Sequence, residues 1–91
     1  MARGKKARIE YFRTRSGLEI DFMVTLNSQV WAIEVKSGEV HADDLKPIEG
    51  FKRLYAKPVR SLAVSLQEKV PRKSKDTLIC DWRTMLKEMG L

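Results

Sequence analysis

Asp21, Glu34 and Lys36 are the side chains whose types and spacing suit chemistry. Twelve residues separate the two acids, and Lys36 stands two places beyond Glu34. What they do together depends on the strands that carry them. Leu18 to Leu26 alternates without a break. Leu18, Ile20, Phe22, Val24 and Leu26 point one way; Glu19, Asp21, Met23 and Thr25 point the other. That is the period of a strand with one buried face. Gln29 to Ser37 is a second strand, in which Val30, Trp31, Ile33 and Val35 are the β-formers. Asn27-Ser28 is the turn between them.

A hairpin closed at that turn pairs Phe22 with Ile33, Ile20 with Val35 and Val24 with Trp31. All three pairs are apolar, and a slip of one residue would turn charges into the core. The same register sets Asp21 opposite Glu34 and Glu19 opposite Lys36. Directly opposed residues have Cβ atoms roughly 4.5–5.5 Å apart, so two carboxylates there repel. A divalent cation held by both removes the conflict, and the Lys36 ammonium reaches the same place. The plainer reading is a solvated sheet face on which Glu19 and Lys36 form an ordinary surface pair. Asp in mid-strand counts against it, because Asp is a poor strand former.

The remaining elements must support that hairpin. Ile9 to Thr14 has strand-forming composition, and Ser16-Gly17 punctuates the chain after it. Asp43 or Asp44 can cap a helix that runs to about Tyr55, with Leu45, Ile48, Phe51 and Tyr55 near one face and Pro47 confined to the first turn. Arg60 to Leu66 is a further strand, Gln67 to Lys75 a polar, basic loop, and Thr77 to Cys80 a short apolar strand. Asp81 can cap a last helix, Trp82 to Met89, that Gly90 ends. The order is β-β-β-α-β-β-α, and a helix between strands implies a crossover and a mixed sheet.

Composition narrows the classes. Ninety-one residues allow one domain, 1–91, with a basic arm over 1–8. Charged residues at 33% and hydrophobic ones at 43% exclude a disordered tail. No apolar run approaches the roughly 20 residues of a membrane span, and no secretory signal follows the basic start. The single cysteine, Cys80, has no internal disulfide partner, which suits a reducing cytoplasm. One histidine, His41, and one cysteine exclude a protein-only zinc cage of the usual ligands. The net charge of +6 suits polyanions such as nucleic acid. Arg13, Arg15, Lys52, Arg53 and Lys57 could line a phosphate track or simply be solvated, and so could the basic loop Pro71 to Lys75. Trp31 and Trp82 read as core anchors, Cys80 as a small buried strand residue, and His41 as an exposed loop residue.

Asp21, twelve residues, then Glu34-Val35-Lys36 resembles the signature of the PD-(D/E)XK nuclease superfamily. The wider context is Tyr11 to Phe22 followed by Ala32 to Gly38. It looks like the nuclease-like domain found C-terminal to ATPase modules in many bacterial and archaeal proteins. The similarity runs from about Ile9 to Leu66.

This resemblance implies an α/β fold with a restriction-endonuclease-like core: a mixed central β-sheet with flanking helices. It implies a metal-dependent nuclease that hydrolyses DNA phosphodiesters. Asp21 and Glu34 would bind Mg²⁺ or Mn²⁺, with the Val35 carbonyl as third protein ligand. Lys36 would position or help deprotonate a water and stabilise charge on phosphate. The family's usual first helix, with its extra acid, has no counterpart in the roughly eight residues before the first strand. Glu19 is the candidate substitute. The chain is then a fragment, a minimal version, or a subunit completed by a second copy, and a homodimer is expected. The alternative is a non-catalytic nuclease-like module that binds DNA or a partner such as an ATPase module.

Overall fold

The computed structural model describes residues 7–13 and 19–91. Its elements are strands β1 (Ala7–Arg13), β2 (Glu19–Leu26) and β3 (Gln29–Lys36), and a 3₁₀ turn (Ala42–Leu45) leading into helix α1 (Lys46–Leu54). Strands β4 (Val59–Ser65), β5 (Arg72–Ser74) and β6 (Thr77–Cys80) and helix α2 (Trp82–Glu88) follow. The six strands form one mixed sheet in the order β1-β2-β3-β4-β6-β5. The first three are antiparallel neighbours, β3, β4 and β6 run parallel, and β5 returns antiparallel along the edge. The fold is therefore α/β with a mixed sheet and flanking helices, as expected. Among the described residues no helix is long and apolar enough to cross a membrane.

The hairpin closes where the sequence places it. Asn27 and Ser28 both take positive φ, 51° and 71°, the left-handed pair that matches the twist of a two-residue hairpin. Five pairs follow in the expected register, from Leu26 with Gln29 to Phe22 with Ile33.

The unbroken alternation expected of β2 does not hold. Against β1, Glu10 pairs with Met23, but Phe12 pairs with Ile20, so β2 carries one residue more than β1 between those pairs. Asp21 and Phe22 together oppose Tyr11, which makes a β-bulge. The bulge moves Ile20 to the other face. Instead of meeting Val35, it packs with Met23, Val30, Ala32, Ile48 and Phe51.

Both sheet faces are consequently apolar at their centre. α1 covers the Ile20 and Met23 face through Ile48 and Phe51, both fully buried. α2 covers the opposite face, where Met85 and Met89 meet Val24, Leu26, Trp31 and Ile33. A third cluster, Val40, Leu45, Ala63 and Ile79, lies under the segment between β3 and α1. The acidic motif thus stands at one end of a covered face, not on an open solvated one.

Three further expectations need correction. The region Gln67 to Lys75 contains β5, which pairs with β6 through Arg72, Lys73 and Ser74. A three-residue charged edge strand has no apolar period to announce it. Asp44 does not cap α1; it sits in the 3₁₀ turn and accepts the His41 N–H. Lys52 is the polar residue on the buried side of α1 because it donates to Ser61 Oγ at 3.2 Å. Trp82 is 46% exposed. It lines a partly open apolar groove beside α2 with Ile9, Phe22, Val35, Met85 and Leu91. Trp31 and Cys80 are buried as expected.

Candidate functional site

Asp21, Glu34 and Lys36 meet where the β2–β3 ladder stops. The backbone pairing ends at Phe22 and Ile33. One step further, the bulge withdraws the main chain of β2, and the Asp21 side chain takes its place: Oδ2 accepts the Val35 N–H at 2.9 Å. Asp21 is therefore fixed against β3 between Glu34 and Lys36. Along β3 the even positions Val30 and Ala32 face α1, so Glu34 and Lys36, continuing the alternation, lie on that side. Glu34 and Lys36 are half-buried, and the Val35 side chain is exposed on the other face.

The Lys36 ammonium forms an ion pair with Asp44 Oδ1 at 3.1 Å. That bond and the Asp44 charge, with smaller contributions from Glu34 and Asp21, hold Lys36 above the ordinary lysine range. Lys36 is accordingly a cation at neutral pH, a donor and electrostatic partner instead of a base. Asp44 is held below the ordinary carboxylate range. The largest cause is the His41 N–H, which donates to Oδ2 at 2.8 Å, followed by Lys36 itself.

The segment that carries Asp44 is pinned on both sides. Val40 and Leu45 are buried. Glu68, itself buried, accepts the Val40 N–H at 2.9 Å. Arg72 joins them: Nη2 donates to the Val40 carbonyl at 2.8 Å and to Glu68 Oε2 at 3.0 Å, while Nε donates to Oε1 at 3.2 Å. The Arg72 guanidinium, then the Val40 N–H, hold Glu68 below the usual carboxylate range. Ser65 Oγ donates to the Gly38 carbonyl at 2.6 Å and closes the same loop.

Asp44, Glu68 and Arg72 are the site residues that sequence reasoning missed as a group. Arg72 lay in a stretch that reads as solvated basic loop, and nothing in linear order joins Glu68 to Val40. The one available signal was Asp44 three places after His41, the spacing of a side chain reaching back to a free amide at a helix start.

Glu19 stands two residues before Asp21, in backbone register with Arg13 at the end of β2 remote from the Asn27-Ser28 turn; the side chains of both, and Arg15 altogether, lie outside the described residues. His41 is exposed and contributes its main chain. Lys75 pairs with Glu49 at 3.5 Å, and Arg53 and Lys57 are exposed.

Among the described residues no three His, Cys, Asp or Glu side chains form a cluster that would hold a metal. Two carboxylates still fit Mg²⁺, which keeps most of its waters and commonly takes only one or two carboxylates before substrate phosphate arrives. Asp21 and Glu34 are hard oxygen donors of that kind.

The family described as a domain of unknown function, DUF4143, matches residues 1–84. The chain belongs to that family. No curated protein and no solved structure matches it. The matched span takes in all six strands and the first residues of α2. In this DUF4143 chain the junction of β2, β3 and the 3₁₀ turn is the place where acids and a lysine gather.

Proposed function

We propose that the chain is a PD-(D/E)XK-type nuclease domain that hydrolyses DNA phosphodiesters with Mg²⁺ or Mn²⁺. The observation that carries the reading is the convergence at the broken end of the β2–β3 ladder. Asp21 is tied to β3, and Lys36 stands within the field of both Asp21 and Glu34. Asp21, Glu34 and the Val35 carbonyl would hold the ion, which when bound supplies Lewis acidity toward a phosphoryl oxygen. Lys36, already cationic, donates to a phosphate oxygen or orients the attacking water, and stabilises the charge that develops. The net charge of +6 favours a polyanionic substrate. A second copy of the chain is the proposed cover for the apolar groove beside α2.

The second reading is a non-catalytic nuclease-like module that binds DNA or a partner. One observation favours it: Lys36 is already ion-paired with Asp44. Cleavage of labelled duplex, single-stranded and branched DNA in Mg²⁺ or Mn²⁺ decides between the two. Nuclease activity lost in Asp21→Ala, and greatly reduced but still measurable in Lys36→Ala, supports the first reading. Salt-sensitive binding without cleavage supports the second.

A further inference from the structure

We propose that Asp44 is a positioning residue of this site, which aims the Lys36 ammonium toward the ground between Asp21 and Glu34. The inference rests on the reading of Asp21, Glu34 and Lys36 as a functional cluster, and adds a residue from a different element.

The two oxygens of Asp44 have separate tasks. Oδ2 is anchored by the His41 N–H at 2.8 Å, and Oδ1 faces Lys36 Nζ at 3.1 Å. The carboxylate cannot swing to follow a mobile lysine without losing its main-chain donor. Lys36 follows Glu34 by one alternation of β3, and Asp21 is bonded to the Val35 amide between them. An ammonium held on Asp44 is thereby kept beside both acids.

Stability is a poor reason for this arrangement. Both partners are partly exposed, at 35% and 24% of their side-chain surface. Ion pairs of that exposure contribute little, because solvent screens them and ordering long side chains costs entropy. Yet the backbone under Asp44 is fixed by Val40 and Leu45 in the core, by Glu68 and Arg72 on both main-chain groups of Val40, and by Ser65 on Gly38. So much anchoring under a weak pair makes sense if the position of the ammonium matters. Catalytic groups must be held to a fraction of an ångström, and partners one step removed from the reacting atoms typically change rates 10–100-fold.

The test combines a double-mutant cycle with a readout that needs no turnover. Asp44→Asn keeps an acceptor for the His41 N–H and removes the charge. Its kcat for DNA cleavage should fall about 10–100-fold with KM nearly unchanged. In a Lys36→Ala background the same change should cost nothing further. Asp44→Glu, longer by one methylene, should restore the charge but only part of the rate. Independently, the two Hε protons of Lys36 should give separate NMR signals in the wild type and merge in Asp44→Asn, as the ammonium is released. Unchanged Hε signals in a folded Asp44→Asn protein, or an equal rate loss with and without Lys36, would overturn the proposal. If the wild type cleaves no DNA, the nuclease reading fails, while the Hε signals still report whether Asp44 holds Lys36.

Discussion

Asp21 Oδ2 lies 2.9 Å from the main-chain nitrogen of Val35 and accepts its N–H. A side chain thus completes a ladder that the backbone of β2 abandons at its bulge. Bulges bend a strand and re-aim its side chains, and they recur next to functional sites. Here the result is that an acid from β2 is seated on the strand that bears Glu34 and Lys36.

Removing that acceptor should be visible at Val35 itself. In Asp21→Ala the Val35 amide has no replacement partner from β2. Its native-state hydrogen exchange should accelerate by about tenfold or more, the scale of one hydrogen bond to a charged group. Asp21→Asn, which keeps a carbonyl oxygen, should stay closer to the wild type. Equal exchange in all three proteins would show that the backbone ladder continues past Phe22.

Phe51 supplies a test of the α1 side. It is fully buried against Ile20, Met23, Val30, Ala32 and Ile48, with the Tyr55 ring 5.0 Å away. Phe51→Ala leaves a cavity that backbone elements on two sides cannot collapse into. The expected loss is about 3–5 kcal/mol, read as a lower urea midpoint at unchanged slope. A loss below about 1 kcal/mol would mean that α1 is not docked as described.

The hairpin was legible because a period of two over nine residues admits one register around Asn27-Ser28. α1 was legible from Leu45, Ile48, Phe51 and Tyr55 near one face, and α2 from the Asp81 cap, whose side chain accepts the Thr84 N–H, and the Gly90 stop. The bulge was not. Leu18 to Leu26 reads as perfect alternation, and the inserted residue becomes visible only when β1 is laid against β2. Ile20 then changes faces and contributes to the core with Met23, a placement that no pattern within β2 alone could suggest. The candidate site was legible in the same measure. Asp21, Glu34 and Lys36 stood out by type and spacing. Asp44 depended on a main-chain bond to His41, and Glu68 and Arg72 on contacts across 28 and 32 positions of sequence to Val40. Such contacts leave no periodic trace.

Cys80 should be chemically silent in the folded protein. It is fully buried at the end of β6. Burial, followed by the nearby charges of Asp81 and Glu88, pushes its thiol up to about 11. At pH 8 almost none is thiolate, and the nucleophile is the thiolate. A thiol-reactive disulfide reagent should therefore label the native protein far more slowly than the same protein in denaturant. Prompt labelling without denaturant would place Cys80 at the surface.

Glu68 predicts how acid weakens the loop beneath Asp44. Its folded pKa is lowered, chiefly by the Arg72 guanidinium and then by the Val40 N–H. A carboxyl with a depressed folded pKa binds fewer protons folded than unfolded. It therefore stabilises the fold above its unfolded pKa, near 4.3–4.5, and loses that contribution as pH falls through the lower folded value. Asp44 and Asp81, also lowered, act in the same sense. Glu68→Gln removes the charge that Arg72 faces. Its Tm at pH 7 should lie about 5 °C below that of the wild type, within the shift expected for a small domain losing one charged hydrogen-bonded pair. The gap should hold from pH 7 to about 5 and narrow on further acidification, as the wild-type carboxylate takes up its proton. A gap that stays constant down to pH 3 would mean that the lost packing of Glu68, and not its charge, sets the difference.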